Sequence, residues 1–181
     1  MIGVIISITF LIVLWFIIIY NNFISLQNRV ENSWSQIEVQ LKRRADLIPN
    51  LIETVKGYMK HEKTVLTEIT KARTELMKAK TISQKANADN KLANTLKTLF
   101  AVAENYPKLR ANENFKMLQE ELAGTENKIA YARQFYNDSV MILNTKIKQF
   151  PTNIVAKAMN LKKKDYFNAE PSERKSIKVR F

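Results

Sequence analysis

Two hydrophobic patterns divide the chain. From Ile2 to Tyr20 the sequence IGVIISITFLIVLWFIIIY is apolar on every side, and no charged side chain occurs before Arg29. Beyond it the apolar positions become periodic. Leu26, Val30, Trp34, Ile37, Leu41, Ala45, Ile48, Ile52, Val55 and Met59 follow one another at gaps of three and four, about 3.7 residues on average, close to the twist of a free α-helix. One long, nearly straight amphipathic helix is predicted from about Ile24 to Met59.

The same reading continues downstream. A turn is expected near His61, where Gly57 has already loosened the backbone. A second helix, about Glu62 to Lys80, carries Val65, Leu66, Ile69, Ala72, Leu76 and Ala79 on one side. The stretch Thr81 to Asp89, TISQKANAD, shows no apolar period and reads as a loop. A third helix, about Ala88 to Glu104, repeats Leu92, Leu96, Leu99, Ala103 and Tyr106, and Pro107 stops it. Asn112 is a natural N-cap for a fourth helix reaching to about Gln149. Its stripe runs Phe115, Leu118, Leu122, Thr125, Ile129, Ala132, Tyr136, Val140, Leu143, Ile147 and Phe150, spaced about 3.5 residues apart as in a left-handed packing. Gly124 inside it lowers helix propensity by about 1 kcal/mol, and the helix is expected to continue through. TNIVAKAMNL, from Thr152 to Leu161, suits a short amphipathic turn of helix.

The fold class predicted is therefore all-α: an N-terminal single-pass transmembrane helix continuing into an antiparallel bundle of four long amphipathic helices. Composition divides the chain into an anchor at 1–23, a helical bundle at 24–160 and a basic tail at 161–181. Because the second and third helices are about half the length of the other two, an up-down-up-down course leaves the membrane-proximal halves of the long pair as a two-helix stalk. Val30, Trp34, Ile37, Val140, Leu143 and Ile147 would then form a surplus apolar strip, the expected interface of a homo-oligomer standing on the membrane. Phe150, Pro151 and the basic tail would lie near lipid. The competing layout, with the third helix stacked below the second, leaves no such strip.

Nineteen apolar residues at 1.5 Å each span roughly 28 Å, the hydrocarbon thickness of a bilayer. A cleaved signal peptide would want a basic n-region, a shorter apolar stretch and a small-x-small cleavage site, and none is present. Ile2 opens this span, and Trp15 and Tyr20 lie toward the end where aromatic rings favour the interface. Lys and Arg flank only its C-terminal side, beginning with Arg29. The expected topology is thus a cell-membrane protein with its N-terminus outside and its bundle in the cytoplasm.

Three Gly and four Pro in 181 residues favour long helices over tightly turned strands. The absence of cysteine excludes disulfides and thiolate chemistry. A formal charge of +12 asks for an anionic partner, and the span makes that partner the lipid bilayer. Nucleic acid is not expected. Lys42 and Arg44 lie roughly 200° apart on a helix and share no contact face, and no aromatic stacking residues accompany them. That run reads as a solvated collar with Asp46 interleaved. From Lys157 to Phe181 eight basic residues against three acids give a net +5, and each cation near anionic lipid contributes about 1 kcal/mol.

The search for chemistry returns no catalytic, cofactor or metal residues. His61 is the sole histidine, HEKTV lacks the second His of a zinc-protease helix, and the three glycines are too far apart for a phosphate loop. The informative polar set is Glu126, Arg133, Asn137 and Asn144, spaced seven, four and seven along one side of the fourth helix. Arg133 is expected to meet Glu31, Glu38 or Gln36 of the first helix and so select one register.

Three blocks, NRVENSWSQIEVQLKRRADLIPNLIETVKGYMKHE (28–62), LFAVAENYPKLRANENFKMLQEELAGTENKIAYARQFYN (99–137) and FPTNIVA (150–156), are similar to the LemA family of bacterial membrane proteins. That resemblance spans nearly the whole chain. It implies a single-pass anchor with its short end outside, a cytoplasmic helical bundle and no established enzymatic activity. The function expected is a non-catalytic scaffold that self-assembles on the inner face of the cell membrane. The alternative is an accessory or signalling subunit using the polar strip to bind a membrane protein partner such as a protease.

Overall fold

Both long stripes become long helices. In the computed structural model, which describes residues 1–59 and 62–167, the elements are α1 (Ile2–Lys56), α2 (Lys63–Lys78), α3 (Ile82–Ala103), α4 (Pro107–Arg110), α5 (Glu113–Lys148) and α6 (Thr152–Ala158). Among the described residues every regular element is helical. The N-terminal apolar stretch and the first amphipathic stretch are one continuous helix, long and apolar enough near its start to cross a membrane. The expected turn residue His61 and the tail from Asn168 onward lie outside the described residues.

The loop expected at 81–89 is instead the first two turns of α3. Thr81 accepts a hydrogen bond from Gln84 N at 3.2 Å, and Gln84 Oε1 accepts one from Thr81 N at 3.2 Å. This reciprocal capping box satisfies two donors that a helix start otherwise leaves unpaired. Ala86, Ala88, Asp89 and Asn90 are buried, a core face too small and too polar to register as an apolar period. The short α4 was also not anticipated; it opens on Pro107, whose missing N–H costs nothing at a first helical position. Asn112 caps α5 as expected, its Oδ1 accepting from Phe115 N at 3.0 Å.

The described residues form two compact units, one of residues 1–35 and 134–166, the other of residues 36–133 with Phe167. This division cuts both long helices, whereas the boundaries at 23 and 160 follow composition. In the second unit α2 packs along α3, and the core is Ile37, Leu41, Ile48, Leu51 and Val55 of α1, Ile69 of α2, Leu92 and Leu99 of α3, and Phe115 and Ile129 of α5. In the first unit Phe23 and Val30 of α1 are buried together with Tyr136, Val140 and Leu143 of α5 and Val155 and Ala156 of α6.

Burial within the chain corrects the expected surplus strip. Val30, Ile37, Val140 and Leu143 are all buried in the single chain, and Trp34 and Ile147 are half-buried. Buried side chains of α6, Val155 and Ala156, belong to the same unit as Val30, Val140 and Leu143, so that unit has more apolar surface to pack than two helices alone would provide. Trp34 stacks at a tilt on Tyr136, ring centroids 5.5 Å apart, and the Arg29 guanidinium lies 5.1 Å from the Phe135 ring centroid.

Pro49 lies inside α1 without ending it. A proline cannot donate to the carbonyl four residues earlier, here that of Ala45. Arg73 of α2 donates its Nε to the Ala45 oxygen at 2.7 Å. A bond the helix cannot make for itself is thus supplied by the neighbouring helix. Replacing Arg73 by Met should cost about 1.5–3 kcal/mol, the range for hydrogen bonds from charged groups. The cost should shrink in a Pro49→Ala background, where the restored N–H serves Ala45. A double-mutant cycle on denaturant unfolding measures both; equal costs in the two backgrounds would disprove the link.

Candidate functional site

The polar centre of the second unit is a residue that the sequence placed on the surface. Arg44, read as part of a solvated collar, is 2% exposed. It sits three residues after Leu41 and four before Ile48, so the stripe of α1 carries it inward. Its Nη1 donates to Asp89 Oδ1 on α3 at 2.5 Å, and Asp89 is 2% exposed. Its Nη2 pairs with the Glu126 carboxylate on α5, a group about half exposed. One guanidinium therefore ties three helices. Its planar fork suits two carboxylates at once, and each group left unpaired at such depth would carry a heavy desolvation cost.

Around this cluster the remaining ion pairs repeat the same task. Lys85 of α3 pairs with Glu38 of α1. Arg43 meets Glu121 at 2.7 Å between α1 and α5, and Lys91 meets Glu75 at 2.7 Å between α3 and α2. Hydrogen bonding from Lys91 holds the Glu75 carboxyl below its ordinary range. At the far ends of the helices Asn112 Nδ2 donates to Tyr58 Oη at 3.1 Å. Tyr106 donates its hydroxyl to Glu62, and that bond raises the Tyr106 pKa. Exposed pairs of this kind are worth little individually; their arrangement across successive helix pairs fixes register.

The residues of the polar strip expected on α5 meet different partners. Glu126 is taken by Arg44. Arg133 lies with its guanidinium 5.0 Å from the Phe167 ring centroid, while Glu38, one of the partners expected for it, pairs with Lys85. Asn144, buried, clamps an extended segment: its Nδ2 donates to Lys164 O and its Oδ1 accepts from Lys164 N, both at 2.9 Å. Asn137 is half-buried beside Tyr136. The Tyr136 hydroxyl donates to Asp165 O at 2.8 Å. Burial, with a smaller contribution from the Asp165 charge, pushes its pKa up to about 12. In the anchor, Ile2 and Tyr20 are exposed and Trp15 is half-buried.

The residues missed by sequence reasoning are Arg44, Asp89 and Arg73. A signal existed for the first, since a basic residue in register with an apolar stripe is carried into the core. Pro49 was the signal for Arg73, because an internal proline announces an unserved carbonyl. Asp89 had none of comparable strength, its helix start having been read as a loop. Chemically, Arg44 and Asp89 are sealed from any substrate, and the cluster positions helices.

A sequence profile of the LemA family matches residues 33–181. Magnetosome protein MamQ 2 of Paramagnetospirillum magneticum is 26% identical over 179 residues, covering 84% of this chain and 66% of that protein. Magnetosome protein MamQ of Magnetospirillum gryphiswaldense is 25% identical with the same coverage. Protein LemA of Metamycoplasma hominis is 27% identical over 158 residues, 87% of this chain and 72% of its own length. The chain thus spans about two thirds of the length of the magnetosome relatives.

Arg44→Met should destabilise the fold by about 3–5 kcal/mol, because the Asp89 charge is left buried without its cation. Arg44→Met with Asp89→Leu should recover most of that loss. Chemical denaturation of the detergent-solubilised chain compares them, and a single mutant costing under about 1 kcal/mol would show that the cluster is not buried as described. The second outcome concerns Tyr136. Its raised folded pKa favours the neutral phenol, so its contribution is complete below the unfolded value of about 10 and is lost as pH rises from there through about 12. Tyr136→Phe should flatten the stability profile across that window, and ultraviolet titration should lose one late-titrating tyrosine.

Proposed function

The chain belongs to the LemA family, and from that premise we propose that this membrane-associated helical protein is a non-catalytic scaffold, self-assembling on the cytoplasmic face of the bacterial cell membrane. Its relatives include proteins named for the magnetosome, and the apolar start of α1 supplies the anchor. The sidedness rests on the Lys and Arg that follow the span.

The observation that carries self-assembly is an exposed apolar pair in the second unit. Val39 of α1 and Tyr131 of α5 are 62% and 75% exposed. The Tyr58–Asn112 and Arg44–Glu126 contacts set these helices antiparallel, which puts Val39, five residues before Arg44, level with Tyr131, five after Glu126. Each lies two residues, or roughly 200°, from a buried stripe position and so faces away from its own core. Copies anchored in one plane meet at high effective concentration, so a small apolar contact suffices. The strip that would serve a partner enzyme is already engaged within the chain through Glu126, Arg133 and Asn144, which weighs against the accessory-subunit reading.

Particle mass in mild detergent and in nanodiscs tests this. Several copies per particle are expected, and Tyr131→Asp should disperse them while changing fold stability by no more than about 0.5 kcal/mol, as surface substitutions do. A wild-type chain that is monomeric in both media would refute self-assembly.

A further inference from the structure

One end of the first unit carries an apolar corner that packing within the chain leaves open. Phe150 and Ile154 are 76% and 56% exposed where α5 gives way to α6, while Val155 and Ala156 of the same short helix are buried. α6 is held by one face and displays the other. Single exposed apolar residues are ordinary on protein surfaces. Position and charge set this pair apart.

Position follows from the contact between Trp34 and Tyr136. Within this unit α1 contributes residues up to 35 and α5 residues from 134, so α5 leaves Tyr136 toward the N-terminal part of α1. Phe150 is fourteen residues beyond Tyr136, and Tyr20 is fourteen before Trp34. At about 1.5 Å per residue in both helices, Phe150 comes roughly level with Tyr20, the aromatic that closes the apolar run. Charge follows from sequence: Thr145 to Lys164 contains six lysines and no acid. Lys146, Lys148 and Lys157 flank the corner directly. The clamp of Asn144 on the Lys164 backbone returns the Lys162–Lys164 run to the same part of α5.

We propose that the α5–α6 corner is a second membrane contact, in which Phe150 and Ile154 enter the interfacial layer where α1 leaves the bilayer and the lysines engage anionic phosphate headgroups. Apolar side chains ringed by cations are the composition of a helix lying in that layer, and long lysine stems reach headgroups while their methylenes stay in apolar surroundings. Each lysine close to an anionic surface favours the contact by roughly fivefold. A single span leaves the attached helices free to swivel; a second contact sets their angle to the membrane plane. The contact rests on the span of α1 and is independent of self-assembly.

Because the chain has no cysteine, single reporters are clean. The full chain carrying Phe150→Cys, or Ile154→Cys with Phe150 retained, is labelled with an environment-sensitive fluorophore and placed in nanodiscs containing spin-labelled lipid. Phe10→Cys marks the span and Met77→Cys, at an exposed site of α2, marks water. In phosphatidylglycerol both corner labels should be quenched severalfold more than the Met77 label. In phosphatidylcholine, or with Lys146, Lys148 and Lys157 changed to Gln, quenching should fall toward the Met77 value. Corner labels matching Met77 in phosphatidylglycerol while the Phe10 label is quenched would overturn the contact, and an unquenched Phe10 label would remove the span beneath it. Equal quenching in both lipids would overturn headgroup recognition. Emission that shifts with protein-to-lipid ratio would assign the corner to a second copy of the chain and overturn it as well.

Discussion

A guanidinium removed from water among three helices is the constraint on which the second unit depends. Arg44 can be buried only where Asp89 and Glu126 meet it, and those carboxylates arrive from α3 and α5 at single points along their lengths. Apolar stripes tolerate sliding, because one leucine replaces another at modest cost. A buried charge does not, since any other register strands it without a partner. Such a cluster adds little net stability compared with well-packed apolar residues. What it contributes is the choice of one alignment among several that hydrophobicity alone leaves nearly degenerate.

The helices themselves were legible because their apolar positions recur at helical spacing over many turns. α1 and α5 could be read almost end to end, as could the Asn112 cap and the short α6. The start of α3 was illegible for a definite reason. Its first turns are held by the reciprocal Thr81–Gln84 bonds and bury Ala86, Ala88 and Asp89, and small or charged residues leave no trace in a hydrophobic period. Arg44 was misread because its neighbours in sequence are Lys42 and Arg43, which share its chemistry but not its direction. The apolar strip on the stalk failed differently: Val30, Ile37, Val140 and Leu143 are buried within the chain, and an apolar period shows which residues share a face without showing whether that face is covered.

Membrane attachment and bundle architecture pull on the same helix. α1 is apolar all round over the stretch long enough to cross a membrane and striped where it packs on other helices, so one unbroken element carries two patterns. Near that change the stretch from Thr145 to Lys164 accumulates lysines without acids. Half the chain's formal net charge of +12 is thereby matched by one short, acid-free segment.

The bond from Arg73 to the Ala45 carbonyl bears on the order of assembly. During synthesis α1 leaves the ribosome before α2, and at Pro49 its ladder contains a gap that no residue of α1 can close. Until Arg73 has been made and has docked, water must occupy that carbonyl, and the last two turns or so of α1 are joined to the rest by a weakened hinge. Arrival of α2 closes the gap and stiffens α1 in one event. The proline thus makes full hydrogen bonding of the first helix conditional on the second.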